Sequence, residues 1–171
     1  MIFKYLKQHR YKERSAFTLV EIIVILFIVS VGMIGILSLV IQNIQSQIIN
    51  KNNITAYQLA QEGLELVRKT RDTNWLNGYS WSEGLAAGTY YMDFQDTAPQ
   101  LLGSSGLELL YQDGNGFYVH DNTFTATRFS RQIEITDISS HEKNIKAVVS
   151  WGDRNQSFTY NLETRLYDWY Y

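Results

Sequence analysis

From Ile22 to Ile41 run twenty consecutive residues without a charged side chain, interrupted only by Ser30, Gly32, Gly35 and Ser38. At 1.5 Å of rise per residue such a helix spans roughly 30 Å, the thickness of the hydrocarbon core of a bilayer. One carboxylate, Glu21, stands immediately before the run. An ionised side chain among lipid tails costs about 2.5–3.5 kcal/mol at mid-helix and less towards an interface, so something must offset that cost. The flanking charges set a direction: residues 1–16 hold Lys4, Lys7, Arg10, Lys12 and Arg14 against Glu13 alone. The positive-inside rule keeps that segment in the cytoplasm and sends the chain beyond about residue 42 across the membrane. A secretory signal would have a shorter apolar stretch of about 7–15 residues ending in a small-residue cleavage site on the far side. Neither feature is present, and the plainest reading is a single-pass anchor, which leaves Glu21 unexplained.

The 171 residues allow one soluble domain in addition to that segment. Taking the five bases and one acid of residues 1–16 from the totals leaves ten bases against sixteen acids, a balance of −6 for the remainder. A body so acidic lacks the basic stripe that phosphate backbones require, so no general nucleic-acid binding is expected. The chain has no cysteine, which excludes disulfides, thiolate zinc sites and cysteine nucleophiles together.

Residues 42–73 contain no proline and one glycine, and Ile44, Ile48, Tyr57, Ala60, Leu64 and Val67 recur at helical spacing. The apolar helix therefore continues as an amphipathic one, from Phe17 to about Thr73. Gly63 costs roughly 1 kcal/mol against alanine inside a helix, which is either a tolerated defect or a sign that another element approaches closely there. Gln61 and Glu62 are expected on a solvated or capping face.

After Asn74 the texture changes. Gly88–Phe94, Leu107–Gln112, Phe117–His120, Ser130–Ile138, Ile145–Trp151 and Phe158–Leu166 read as strands. The expected fold is α+β: a long N-terminal helix, partly transmembrane, packed on an antiparallel sheet. The expected division is a basic leader at 1–16, a membrane half of the helix at 17–41, an amphipathic half at 42–73 and a β head at 74–171.

A basic leader and a small residue followed by Phe17-Thr18-Leu19-Val20-Glu21 and a membrane-length helix resemble the signature of type IV prepilins and their pseudopilin relatives. The resemblance implies cleavage by a membrane prepilin peptidase between Ala16 and Phe17, with N-methylation of Phe17 by the same enzyme. The family usually places glycine before the cut, and Ala16 departs from that pattern. It implies an assembly role for Glu21, paired with the new amine of a neighbouring subunit. Physically this is sound: the amine would sit at the positive end of a helix dipole, where a cation is disfavoured and a carboxylate one turn away relieves it. Ala56–Glu65 with Arg68, Arg71-Asp72 and Asn74-Trp75 also resembles minor, PilV-like pilins. The partners implied are the peptidase, other pilin subunits in a filament and, indirectly, an assembly platform and its ATPase. The location implied is the cytoplasmic membrane before assembly, and an extracellular pilus or a periplasmic pseudopilus after it. Gly32, Gly35 and Ser38, spaced by three, lie on one helix face that would let a neighbouring backbone approach.

No catalytic group, metal or cofactor is expected. Asp113, Asn115, His120 and Asp121 could offer ligands to calcium, yet Asp113-Gly114-Asn115-Gly116 is a hairpin turn signal and their spacing completes no calcium loop. His9, His120 and His141 are scattered along the chain. Asn53-Ile54-Thr55 and Asn155-Gln156-Ser157 match a glycosylation sequon, the first within the helix. Trp75, Tyr79, Trp81, Tyr167, Trp169, Tyr170 and Tyr171 could pad the sheet or form an interface. The expected function is a structural one, a filament subunit and, within that class, a minor pilin. The alternatives are a type II secretion or competence pseudopilin, and an uncleaved, membrane-anchored carbohydrate-binding module.

Overall fold

The computed structural model describes residues 17–102 and 108–169. Helix α1 runs from Leu19 to Leu76, and the chain divides into two units at residues 1–47 and 48–171. In the first unit, the side chains of residues 17–47 are all exposed, and the helix is long and apolar enough to cross a membrane. The two serines of the uncharged run are satisfied within the helix: Ser30 Oγ donates to the Leu26 carbonyl at 2.7 Å and Ser38 Oγ to that of Ile34 at 3.0 Å. Hydroxyls bonded in this way carry little penalty into lipid.

In the second unit α1 buries Asn52, Ala56, Leu59, Ala60, Gly63, Leu64, Leu66, Val67, Thr70 and Asn74, one stripe at helical spacing. The expected stripe is shifted at Tyr57, which lies at its margin and meets Tyr160 edge-on at 5.9 Å. The helix also ends three residues later than expected. Gly78, at φ +73°, lets its own N–H reach the Trp75 carbonyl at 3.1 Å and the N–H of Tyr79 reach that of Asn74 at 2.9 Å. That pair of bonds is a Schellman stop, and the left-handed position it needs is the reason for glycine there.

The sheet is antiparallel throughout and curled against the helix. Its strands are β1 (Gly88–Tyr91), β2 (Gln100–Leu101), β3 (Glu108–Gln112), β4 (Tyr118–Val119), β5 (Thr125–Ser139), β6 (Glu142–Asp153) and β7 (Gln156–Tyr167). The long β5 shares one edge between β3, along Thr125–Arg131, and β1, along Ile133–Ile135; its other edge pairs with β6. In sequence order the β5–β6–β7 meander supplies most of the core face. Phe129, Ile133 and Ile135 stand opposite Trp151, Ala147 and Ile145. The same phase places Arg131 among them, opposite Val149 and 0% exposed.

The expected strand through Phe94 stops at Tyr91. Asp93 turns the chain there: its Oδ1 accepts from the N–H of Gln95 at 2.9 Å, and its own N–H donates to Asp96 Oδ2 at 2.9 Å. Strand β2 was not expected; two residues after Pro99 are too few to show alternation. Leu107 and its neighbours 103–106 lie outside the described residues.

At Gly63 the helix lies close against the sheet. A Cβ there would stand 3.3 Å from Arg131 Cδ, 3.6 Å from Ala147 Cβ and 3.7 Å from Ile133 Cδ1. Close approach explains the glycine, and the fixed Arg131 chain leaves no room for more. Gly63→Leu is expected to destabilise the protein by about 2–3 kcal/mol by overpacking, read as a lowered urea midpoint at unchanged slope.

Candidate processing and assembly site

The N-terminal turn of α1 is built by Thr18. Its Oγ1 accepts from the backbone N–H of Glu21 at 3.2 Å, and its carbonyl takes the first helical bond from Ile22, also at 3.2 Å. Thr18 is thus the N-cap and Glu21 the third helical residue, the two ends of a Thr-x-x-Glu capping pattern. Glu21 has a local reason for its position beyond any pairing with an amine: a carboxylate in the first turn is favoured by the helix dipole. Spacing alone carried that signal. Phe17, 70% exposed, immediately precedes the cap, while Ala16 and the rest of the leader lie outside the described residues. Beyond the helix's own backbone, a side chain at Gly32 or Gly35 would meet nothing within 4 Å of its Cβ among the described residues.

In the head, Asp113 and Asn115 form the turn. Asp113 Oδ1 accepts from Asn115 N at 2.9 Å and Phe117 N at 2.8 Å, and Gly116 takes φ +90°. Asp121 likewise caps a local turn through the N–H of Thr123. His120 belongs elsewhere. Its backbone N–H donates to Asp93 Oδ2 at 2.9 Å, and its ring packs on Tyr91, centroids 5.1 Å apart.

The aromatic residues divide by position. Trp81 is buried in the core, while Tyr79 and Trp169 are exposed. Trp75 and Trp169 lie 5.3 Å apart with the Arg71 guanidinium 4.7 Å from the first ring and 5.7 Å from the second. Tyr170 and Tyr171 lie outside the described residues.

Two polar features of the head were not foreseen. Arg131 crosses the core to reach helix and loop: its guanidinium donates to the Leu59 carbonyl at 3.0 Å and the Met92 carbonyl at 2.6 Å, and pairs with Glu62 at 3.2 Å. Glu62 is therefore not simply solvated; one helical turn from Leu59, it faces the one cation on the core side of β5. The other feature is His120. Burial, and then the nearby Arg131 cation, push its pKa from 6.5 down to about 4, with Asp93 opposing them. Between pH 6.5 and about 4 the unfolded chain binds a proton that the native ring refuses. Stability from this group is complete above pH 6.5 and falls with pH through that window, by about 3 kcal/mol in total. Thermal unfolding of the metal-free protein should show that loss, reduced in His120→Gln.

A helix opened by a capped Thr18–Glu21 turn, uncharged across a membrane's thickness and packed by its later half on a curled antiparallel sheet, is a pilin-like α+β architecture. The family described as the prokaryotic N-terminal methylation motif matches residues 11–37. Motif and fold together support the type IV pilin and prepilin-like family, whose members are structural subunits processed by prepilin peptidase, anchored in the membrane and then assembled with other pilins. No curated protein and no solved structure matches the chain.

Proposed function

We propose that the chain is a minor pilin, cut between Ala16 and Phe17, methylated at Phe17 and inserted into a filament by pairing of Glu21 with the Phe17 amine of a neighbouring subunit. The methylation motif at residues 11–37, overlying the capped Thr18–Glu21 turn, carries this reading. In the precursor, residues 1–16 are the cytoplasmic leader, residues 17–41 the anchor, residues 42–73 the sheet-packing half of the helix and residues 74–171 the head. On assembly, Gly32, Gly35 and Ser38 line the helix face on which a second helix packs, small residues allowing backbones to approach. An extracellular pilus is favoured over a periplasmic pseudopilus on the likeness of Ala56–Glu65 to minor pilins.

Mass spectrometry of the protein co-expressed with a prepilin peptidase tests the processing step. A methylated Phe17 terminus is the expected result. An intact Met1 terminus beside an active peptidase control would leave an uncleaved membrane anchor, and the carbohydrate-binding alternative would then take precedence.

A further inference from the structure

We propose that Asp93, Asp96 and His120 form a site for a first-row divalent transition-metal ion, zinc foremost. Expecting no metal followed from spacing along the chain, whereas the fold supplies spacing across it. One ligand atom from each of the three residues lies within 4.8 Å of the others. The centre of a triangle of that side is at most about 2.8 Å from each corner, so shifts of well under 1 Å reach the 2.0–2.2 Å of zinc–nitrogen and zinc–oxygen bonds.

The imidazole makes this more than a pair of carboxylates. The His120 side chain is 6% exposed, yet neither ring nitrogen has a hydrogen-bond partner. Its Nδ1 stands 3.6 Å from Asp93 Oδ2, too far for a hydrogen bond yet within the cluster of ligand atoms. A buried ring with two unmet nitrogens is costly, and a metal ion bound to one of them relieves part of that cost.

The carboxylates are already oriented. Asp93 takes backbone N–H groups from Gln95 and His120, and Asp96 takes that of Asp93. Each ionised carboxylate has about four acceptor positions, so both retain lone pairs for an ion. Charge points the same way. Glu62, Asp93 and Asp96 surround Arg131, and three negative charges against one positive leave two, which a divalent cation neutralises. One imidazole and two carboxylates suit zinc, with water completing the shell; calcium would want six to eight oxygens. Bound there, the ion ties the turn after β1 to the end of β4.

The test uses the full-length chain in detergent micelles, stripped by a chelator and titrated with zinc chloride in calorimetry and thermal melts, with cobalt as an optical reporter. The expected result is one saturable ion per chain and a rise of roughly 5–10 °C in Tm at a hundredfold excess over Kd. Asp96→Asn and His120→Gln should each weaken binding by at least roughly tenfold. Asp96 is only partly buried, so its variant decides the matter if His120→Gln fails to fold. Absence of saturable binding overturns the proposal. So does zinc binding undiminished in the variants, which would place the ion at His9 or His141, and so does equal affinity for calcium. None of these outcomes bears on prepilin processing, which the terminal mass reads separately.

Discussion

Arg131→Ala is expected to cost about 3–5 kcal/mol, enough to unfold much of the head at physiological temperature. The guanidinium has no exposed surface and carries three attachments, to Leu59 and Met92 through their carbonyls and to Glu62 as an ion pair. Truncation removes the side chain's volume, its hydrogen bonds to the Leu59 and Met92 carbonyls and the partner of the Glu62 carboxylate, and each loss adds to the same total. Glu62→Gln should cost less, about 1–2 kcal/mol, because Glu62 is one-third exposed and the amide oxygen still accepts. The pair Glu62→Gln with Arg131→Met restores volume and removes both charges, and should lose less than the two single changes summed. Urea unfolding of the four proteins closes that cycle. Additive losses would mean that the ion pair contributes nothing beyond its separate ends.

In the native assembly system, Glu21→Val should leave membrane insertion and cleavage intact and lower the amount of this subunit in sheared filaments by at least roughly a hundredfold. Removing one partner of a desolvated ion pair costs about 3–5 kcal/mol, and each 1.4 kcal/mol is a factor of ten. Glu21 also sits in the Thr18 cap, so Thr18→Ala separates the two roles. That change should cost about 1 kcal/mol of helix stability and leave incorporation nearly unchanged. Equal losses from both variants would make Glu21 a helix-capping residue and no more.

The helix was legible because one property, absence of charge over a membrane's thickness, admits few alternatives, and Gly63 because a glycine there otherwise costs stability for nothing. The sheet was legible where strands are long: β6 and β7 alternate over twelve residues each, whereas β2 has two. The polar interior was not. Arg131 follows Phe129 and precedes Ile133 on the core phase of β5, so its direction could be read, but Glu62, 69 positions earlier, could be joined to it only by the fold. His120 was grouped with Asp113, Asn115 and Asp121 because they are near in sequence. It meets Asp93, 27 residues away, because both close the same end of the sheet. The Thr18–Glu21 cap is a local signal of known form, legible from the Thr-x-x-Glu spacing alone.

The burial pattern also bears on the order in which the parts of the head come together. The stripe on α1 from Asn52 to Asn74 shares one core with residues of β5, β6 and β7 as distant in sequence as Leu166, and Arg131 reaches the Leu59 carbonyl from 72 residues downstream. The β5–β6–β7 meander closes through tight turns and forms quickly, while docking it on the helix is a long-range step that comes last. A head delivered piecemeal therefore holds an open, apolar helix face until β7 has arrived. During that interval the nascent protein is most exposed to aggregation and proteolysis, and the docking of β7 ends the danger.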